Sequence, residues 1–523
     1  MRVVTTALGL CLLVACSADQ SLYSADAAAI WDSGANACNA GDWDSDADSD
    51  TDSDSDTDNL PSEEEDAFFA MAPAPAPTFV FVANPDRDTV TRIGVPALDV
   101  LTAPVGERPE QVLTTPDYLY ALTYNAGSDD LSILPASTLE ETRVELRPNL
   151  DTFELSPDGA WAVCYNAMGI EDEGSSSGAY SVKEASFVEV ASGEHTAMAL
   201  GFQPRDVAFT SDATTAVVLG DAWVGIVDLT ADPLDIELIS IGDEVDPPQT
   251  EELVLDPDGR YALLRQKDAA KLVLVDLVDL DATDLVVGAG PTDLDLTPDG
   301  AFAVAVARGA GELWLYDLAD PTAAPEILQM PEGEVVGSIA FSSDGGPALL
   351  FSTASGVSRF TSWDPETGEF DLHPLPKPVA AVGVDPTGQT ALILHDSANS
   401  DDMDPGYEDL HGLTMVELSS FRANDYSLPA EPIAFAHSED GEKGYFIMED
   451  EAYLEILDYG SLLIDEVELK SDPVFVGTLP EMNWAFASQQ HDLGRISFYD
   501  PETDSLKTIT GFELNAGIEV EED

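Results

Sequence analysis

The chain has 523 residues and a formal charge of −81, because 101 aspartates and glutamates outnumber 20 lysines and arginines. That balance excludes a nucleic-acid binder that works through a basic face, since phosphate groups would be repelled. It also argues against docking onto anionic lipid through a basic patch. Apolar residues make up 44% of the chain, which is the composition of a folded protein.

Residues 1–15 form a predicted signal peptide. Arg2 is its single positive charge, and the apolar run from residue 3 to residue 15 contains no charged residue. That run is too short to span a bilayer, which takes about 20 residues. It leads into the tetrapeptide Leu13-Val14-Ala15-Cys16, which resembles the lipobox of bacterial lipoproteins.

The lipobox resemblance implies that cleavage occurs before Cys16, which then carries acyl chains such as palmitate and becomes the membrane anchor. Several acyl chains anchor a protein stably where one chain binds only marginally. Ser17 follows Cys16 where an aspartate would retain a lipoprotein in the inner membrane, so the resemblance favours the outer membrane. The alternative is an ordinary secretory signal in which Cys16 is incidental.

Residues 16–78 are predicted to be a disordered tether. After Cys16 the segment has no lysine or arginine, and aspartate alternates with serine and threonine over residues 42–58, ahead of a Pro-Ala run at 72–77. Like charges repel, and the segment offers no apolar face. We interpret it as a spacer, with weak calcium binding by the aspartates as the alternative. A disulfide between Cys38 of the tether and Cys164 is possible but not required.

The remaining residues, 79–523, contain one recurring unit. An apolar strand leads into a turn such as Ser156-Pro157-Asp158-Gly159, a second apolar strand follows, and a third strand ends near Asp-Leu. Pro presets φ, Asp bonds its own backbone, and Gly accepts a positive φ, so each turn predicts a hairpin. The aspartate or its counterpart stands at positions 117, 158, 212, 258, 299, 344, 387, 440 and 481.

A spacing of 41 to 54 residues with about four short strands per unit predicts an all-β fold, a β-propeller. The units resemble the YVTN-type and WD-like propeller repeats of exported bacterial proteins. That resemblance covers residues 79–523 and implies a fold, but no particular function, because the repeat is structural.

Nine turns and one composite unit give ten repeats, and we predict a single ring of eight to ten blades. Residues 78–84 match a second strand that lacks a first strand before it, and residues 511–520 match a first strand. We therefore expect the C-terminal strand to complete the N-terminal blade and close the ring.

Two longer spacings mark insertions at residues 168–183 and 395–411. The second insertion concentrates imidazole and carboxylate ligands suited to a divalent cation, above all calcium. The candidate ligands are His395, Asp396, Asp401, Asp402, Asp404, Glu408, Asp409 and His411. The alternative is an acidic, solvated loop. The sequence indicates no other cofactor, and no catalytic motif is present.

We therefore expect a lipid-anchored protein of the bacterial cell envelope that binds a protein or glycan there without catalysis, acts as a monomer and binds no nucleic acid. The alternatives are a lactonase-like hydrolase with its site in the central channel, and a calcium-dependent surface adhesin. The tether accounts for 16 acidic residues, which leaves a formal charge of −66 on residues 79–523. That charge is spread over every repeat and predicts adaptation to a salty environment.

Overall fold

The computed structural model describes residues 72–523, except for 149, 168–181, 244–248, 268, 343–344, 355, 366, 397–402, 409, 515–518 and 523. Within that part of the chain, ten antiparallel sheets form a ten-bladed β-propeller, nine blades having four strands and one having five. The predicted all-β class, the four-stranded blade and the best repeat count of ten are confirmed. Over the same residues, no helix is long and apolar enough to cross a membrane.

Each blade is a meander of consecutive strands, numbered here β1 to β41. Blades 1 to 5 consist of β1 (Ala74–Ala76), β2 (Phe79–Asn84), β3 (Thr89–Gly94), β4 (Val100–Pro104), β5 (Pro109–Thr114), β6 (Tyr120–Asn125), β7 (Asp130–Pro135), β8 (Thr142–Glu145), β9 (Thr152–Leu155), β10 (Trp161–Tyr165), β11 (Glu184–Glu189), β12 (His195–Ala199), β13 (Asp206–Phe209), β14 (Thr215–Leu219), β15 (Trp223–Asp228), β16 (Ile236–Ser240), β17 (Thr250–Leu255), β18 (Tyr261–Gln266), β19 (Lys271–Asp276) and β20 (Asp281–Val286). Blades 6 to 10 consist of β21 (Pro291–Leu296), β22 (Phe302–Ala307), β23 (Glu312–Asp317), β24 (Glu326–Gln329), β25 (Ser338–Ala340), β26 (Ala348–Phe351), β27 (Arg359–Trp363), β28 (Phe370–Pro374), β29 (Val379–Val384), β30 (Thr390–His395), β31 (His411–Glu417), β32 (Arg422–Leu428), β33 (Pro432–His437), β34 (Lys443–Met448), β35 (Tyr453–Asp458), β36 (Leu463–Glu468), β37 (Pro473–Thr478), β38 (Ala485–Gln489), β39 (Arg495–Asp500), β40 (Ser505–Thr510) and β41 (Glu519–Glu522).

All nine predicted turns form the hairpin between the first and second strands of a blade. In blade 6 the Gly300 N–H donates to the Thr297 carbonyl oxygen at 2.7 Å. The Thr297 hydroxyl accepts the Phe302 N–H at 3.0 Å and donates to the Asp299 carboxylate at 2.7 Å. The same backbone hydrogen bond closes the turns that begin at Thr115, Ser156, Thr210, Asp256, Ser342, Asp385, Ser438 and Leu479. The hairpin prediction is therefore confirmed at all nine turns, of which the blade 7 turn is described by Ser342, Gly345 and the pairing of β25 with β26, since residues 343 and 344 lie outside the described residues.

Ten apolar clusters hold the ring together, one between each pair of neighbouring blades. The alternation of a strand sends successive side chains to the two faces of a blade, so both faces bury apolar residues against a neighbour. Between blades 10 and 1, Val80 and Ile93 pack with Phe486 and Phe498, all of them fully buried. Burial of one such side chain stabilises the fold by about 1.5–3 kcal/mol.

The first strand of blade 1 comes from the predicted tether, which corrects the expected ring closure. β1 (Ala74–Ala76) lies in the Pro-Ala run and pairs with β2, Ala76 opposite Phe79. Ala74 and Ala76 are small enough to be buried between blades 1 and 2. Pro75 is tolerated because β1 is an edge strand with one unpaired side, where a missing N–H removes no ladder hydrogen bond.

The C-terminal segment closes the ring by packing and does not supply the missing strand. Phe512 is buried against blade 1, and its carbonyl oxygen accepts the Thr102 hydroxyl at 3.3 Å. Glu513 forms an ion pair with Arg87 of blade 1 at 3.0 Å. β41 then pairs with β40 and adds a fifth strand to the outer edge of blade 10.

First strands of neighbouring blades contact one another, as β13 does with β17 and β17 with β21, and we call the ten first strands the inner ring. Each inner-ring strand leaves one backbone edge unpaired, and side chains of the adjacent blade cover part of that edge. The Asp293 carboxylate of blade 6 accepts the Ile339 N–H of blade 7 at 2.6 Å, and the Thr292 hydroxyl donates to the Gly337 carbonyl oxygen at 2.6 Å. These contacts manage the open strand edges that the ring would otherwise expose.

Candidate functional site

The meander places different loops on the two faces of the ring. Consecutive strands are antiparallel, so the connections alternate between faces. One face carries the hairpin turns between first and second strands and between third and fourth strands, and we call it the turn face. The other, the loop face, carries the connections from second to third strands and the crossovers between blades. Both predicted insertions join a second strand to a third strand, and β1 begins on this same loop face.

His395, the first candidate ligand of the second insertion, is a buried residue of blade 8. It ends β30 and is 1% exposed. Nδ1 lies 3.2 Å from the Pro378 carbonyl oxygen, and Nε2 lies 2.7 Å from the Thr414 hydroxyl. Burial lowers the pKa of the ring to about 4. Both ring nitrogens are engaged by protein groups, so this side chain would have to break a hydrogen bond to ligate a metal.

The hydrogen bonds of His395 belong to a network that recurs in other blades. In blade 8 the network continues from the Thr414 hydroxyl to the Asp425 carboxylate of the fourth strand, at 2.8 Å. In three further blades a polar residue ends the apolar second strand and bonds across the third strand to the fourth strand or the turn before it. These chains are Asn84–Thr91–Thr102, Asn125–Ser132–Glu141 and Gln489–Ser497–Thr508, with distances of 2.6 to 3.0 Å. Because the same position is polar and hydrogen bonded in four blades, we assign His395 a structural role. The acidic residues that follow it in the sequence had suggested a metal ligand instead.

The other described ligands of the insertion do not converge. Asp404 accepts the Gly406 N–H at 2.8 Å in a local turn. Glu408 is exposed, and His411 begins β31 with a half-buried ring. Asp396, half-buried, donates its N–H to the Pro378 carbonyl oxygen at 3.0 Å.

Three further ligands, Asp401, Asp402 and Asp409, lie outside the described residues. Among the residues that are described, no group of three or more His, Cys, Asp or Glu side chains is placed to hold a metal ion. The cation site therefore stays a prediction that depends on undescribed carboxylates.

A buried lysine fastens the insertion to the loop face. Lys377, in the crossover before β29, is fully buried, and its Nζ donates to the Leu410 carbonyl oxygen at 2.9 Å. The Asp404 N–H donates to the Pro376 carbonyl oxygen at 2.9 Å. The middle and the C-terminal end of the insertion are thus held against one crossover.

Two carboxylates of the inner ring have raised pKa values, which the sequence did not indicate. Glu154 of β9 and Asp206 of β13 are half-buried on adjacent blades. Burial, together with the smaller effect of the nearby Asp206 charge, raises the pKa of Glu154 to about 8. Burial also raises the pKa of Asp206 to about 6, against the hydrogen bond from the Val207 N–H. In the described part of the chain no cation pairs with either group, because the neighbouring Arg205 binds Asp221 at 3.0 Å.

Two other histidines join neighbouring blades or strands. His437 of β33 donates from Nε2 to the Gly383 carbonyl oxygen of blade 8 at 3.1 Å, so Nδ1 accepts the Tyr459 hydroxyl at 2.6 Å. Burial lowers the pKa of His437 to about 4 and keeps the ring neutral. His373 stacks on Phe360 with ring centroids 4.6 Å apart. Both side chains serve packing in the arrangement described.

The carboxylates of the turn face have the opposite environment. Hydrogen bonds from Thr297 and from the Ala301 N–H lower the pKa of Asp299. The same pattern lowers the pKa of Asp212, through Thr210, and of Asp228, through Thr230. Each of these aspartates shapes its own turn, so much of the negative charge of this face is a consequence of local turn chemistry.

The cysteine predictions fall partly outside the described residues. Cys16, Cys38, residues 1–71 and the body of the first insertion all lie outside them. Cys164 is a free, fully buried residue in the core between blades 2 and 3, and burial raises the pKa of its thiol. A disulfide with a tether cysteine would require this core to open.

No family model and no curated protein sequence matches the chain. Solved structures are similar to it at low identity. A eukaryotic initiation factor is 12% identical over 84% of this chain and 94% of its own, with a TM-score of 0.50. The β-propeller domain of Cps50 (Swd1) from Myceliophteria thermophila is 16% identical over 57% and 96%, with a TM-score of 0.34. The dihydro-haem d1 dehydrogenase NirN, in complex with DHE, is 15% identical over 75% and 73%, with a TM-score of 0.44. The likeness to the initiation factor shows the propeller fold alone.

Proposed function

We propose that the protein is a lipid-anchored propeller of the bacterial cell envelope, with repeats of the YVTN type, that binds a protein or glycan partner without catalysis. The observation that carries the proposal is the order of elements along the chain. A lipobox-like motif at Cys16 and an acidic spacer precede β1, whose first residue lies on the loop face. A spacer of this kind would hold a rigid ring at a distance from the membrane.

Binding is favoured over catalysis because two of the histidines that a catalytic site would use have structural roles. His395 and His437 are buried and hydrogen bonded at both ring nitrogens. Loops on a rigid scaffold carry binding function in many folds, and both insertions connect strands at the loop face. The acid-rich surface remains incompatible with nucleic acid.

The anchor is tested by replacing Cys16 with serine. The expected result is that the native chain sediments with membranes and incorporates a labelled palmitate analogue, whereas Cys16→Ser does neither and is released in soluble form. Replacement of Cys38 by serine is the matched control and should change neither property. Equal membrane association of Cys16→Ser and the native chain would overturn the lipid anchor.

The partner is tested by affinity capture from envelope extracts, with and without a chelator. A protein or glycan captured equally in both conditions supports a binding module that needs no cation. Capture that disappears with chelator would favour the calcium-dependent adhesin and the cation site of residues 395–411. Turnover of lactone substrates by the purified chain would overturn the non-enzymatic part of the proposal.

A further inference from the structure

Large apolar side chains are exposed mainly along the rim of four consecutive blades. Nine such residues are exposed in the described part of the chain, and six of them belong to blades 4 to 7. Four stand on the outer strands β16, β20, β24 and β28, and two stand in the turn before β20. We call Leu238, Val278, Leu280, Val286, Ile327 and Leu372 the rim patch.

Side chains alternate between buried and exposed positions along the outer strands, and these residues are unusual because they are apolar at exposed positions. On β16, Ile239 points into the core between blades 4 and 5, while Leu238 is 45% exposed. On β20, Leu285 is buried, while Val286 is 72% exposed. The outward positions of β8 hold Arg143 and Glu145 instead. An outward apolar residue on a half-solvated strand costs nothing in packing, but here such residues recur on the outer strands of four neighbouring blades.

The rim patch lies beside unpaired backbone. β16, β20, β24 and β28 are each the last strand of their sheet, so one edge of each has no partner strand. The Tyr316 hydroxyl of blade 6 donates to the Val286 carbonyl oxygen of β20 at 2.7 Å. β16 also contacts β20, so the patch continues from blade 4 to blade 5. Blade 10 shows what such an edge can accept, since β41 pairs there as an antiparallel fifth strand.

The negative charge around the rim patch favours a cationic partner. The four outer strands contain Glu237, Asp281, Asp284, Glu326 and Asp371 but no lysine or arginine. Lys271 on the neighbouring strand already binds Asp284 at 2.8 Å. A second copy would bring the same carboxylates together between two domains of charge −66, and an anionic membrane would be repelled in the same way.

We propose that the outer edges of blades 4 to 6 bind an extended protein segment in which apolar side chains alternate with lysine or arginine. The segment adds to an edge strand by main-chain hydrogen bonds, places its apolar side chains on the rim patch and pairs its cations with the adjacent carboxylates. The inference rests on the proposed function, because it names the surface and the chemical class of the protein partner.

The test uses the full mature chain, kept in solution by Cys16→Ser, and two synthetic peptides of equal charge. One peptide alternates lysine with valine and isoleucine, and the other alternates lysine with serine and threonine. In 0.3 M salt, which suppresses unspecific attraction, we expect the apolar peptide to bind at least tenfold more tightly by fluorescence anisotropy. Hydrogen exchange should slow along β16, β20 or β24 when it binds.

The rim variant L238S/V286S/I327S changes no charge and only outward side chains, and it should erase the difference between the peptides. The control variant L119S/L463S removes two exposed apolar residues outside the patch and should keep the difference. Equal affinity of the two peptides for the native chain, or an unchanged difference in the rim variant, would overturn the proposal. Concentration-dependent dimers in sedimentation velocity that vanish in the rim variant would assign the patch to a second copy and would also overturn it. A failure confined to these measurements leaves the membrane and capture tests of the proposed function unaffected.

Discussion

Carboxylates on the turn face and carboxylates on the inner ring have opposite energetic roles in the same acidic protein. On the turn face, Asp299 accepts hydrogen bonds from Thr297 and Ala301, which lower its pKa. On the inner ring, burial raises the pKa of both Glu154 and Asp206, and the Asp206 charge also raises that of Glu154. The net charge alone therefore does not say whether an acidic residue stabilises the fold or opposes it.

The turn-face and inner-ring carboxylates also stabilise the fold over different pH ranges. An aspartate with a lowered pKa contributes stability above its unfolded pKa of about 4, and that stability is lost as the pH falls further. A carboxyl with a raised pKa contributes most below its unfolded pKa, and that contribution is lost as the pH rises through about 6 for Asp206 and about 8 for Glu154. Together they favour maximal stability in mildly acidic solution.

The largest expected effect comes from dismantling one turn of the turn face. Gly300 has φ of 65°, and a Cβ there would lie 2.2 Å from Cγ of Pro257 in the preceding blade. Gly300→Ala should lower the free energy of unfolding by about 3 kcal/mol, through backbone strain and overpacking. Gly311→Ala, in the same blade with φ of 66° and open space around it, should cost only about 1 kcal/mol. Denaturant unfolding measures both, and equal losses would mean that the stacked turns do not support the ring.

The inner ring is tested by the double variant Glu154→Gln/Asp206→Asn. Removing two desolvated, like charges should raise the free energy of unfolding at pH 8.5 by about 2 kcal/mol. The gain should disappear near pH 4, where both carboxyls are protonated in the folded native chain. Thermal unfolding at several pH values measures it, with Glu237→Gln on the exposed outer strand as control. A gain that is independent of pH would contradict the electrostatic cause.

A smaller difference in the free energy of unfolding is expected between variants of two aspartates that occupy the same position in neighbouring turns. Asp299→Ala removes acceptors for Thr297 and Ala301 and should cost about 1 kcal/mol. Asp258 is exposed, and no described residue hydrogen bonds to its side chain, because Asp256 accepts the turn N–H groups instead. Asp258→Ala should therefore leave stability unchanged or raise it slightly. A loss as large as that of Asp299→Ala would show that charge, rather than hydrogen bonding, determines how much these aspartates contribute to stability.

Local chemistry explains why the hairpins could be predicted. A Pro-Asp-Gly turn is encoded within four residues, so all nine positions follow from the sequence. Tyr118 and Ala213 occupy the glycine position with φ of 57° and 56°, which tertiary packing imposes and turn propensity alone would not predict. β1 escaped prediction because an Ala-Pro-Ala segment has no strand pattern until a neighbouring blade buries its alanines.

The candidate site was less predictable because its features depend on contacts between distant residues. His395 resembles a loop ligand in sequence, and only the equivalent positions Asn84, Asn125 and Gln489 identify it as part of a repeated network. Glu154 and Asp206 are separated by a whole blade in sequence and meet only when the inner ring forms. Aligning the repeats on their second strands would reveal the first feature but not the second.

The salt dependence of the melting temperature also distinguishes exposed carboxylates from the inner-ring pair. Its expected effect per residue is the smallest of those considered. Repulsion among exposed carboxylates is screened by salt, whereas a desolvated pair is screened far less. The melting temperature of the native chain at pH 8.5 should therefore rise between low and molar sodium chloride. The advantage of Glu154→Gln/Asp206→Asn over the native chain should stay nearly constant over the same range. Differential scanning calorimetry measures both quantities. A flat or falling melting temperature would remove the case for adaptation to salt, and an advantage that salt abolishes would place the inner-ring pair in the same screened environment as the turn-face carboxylates.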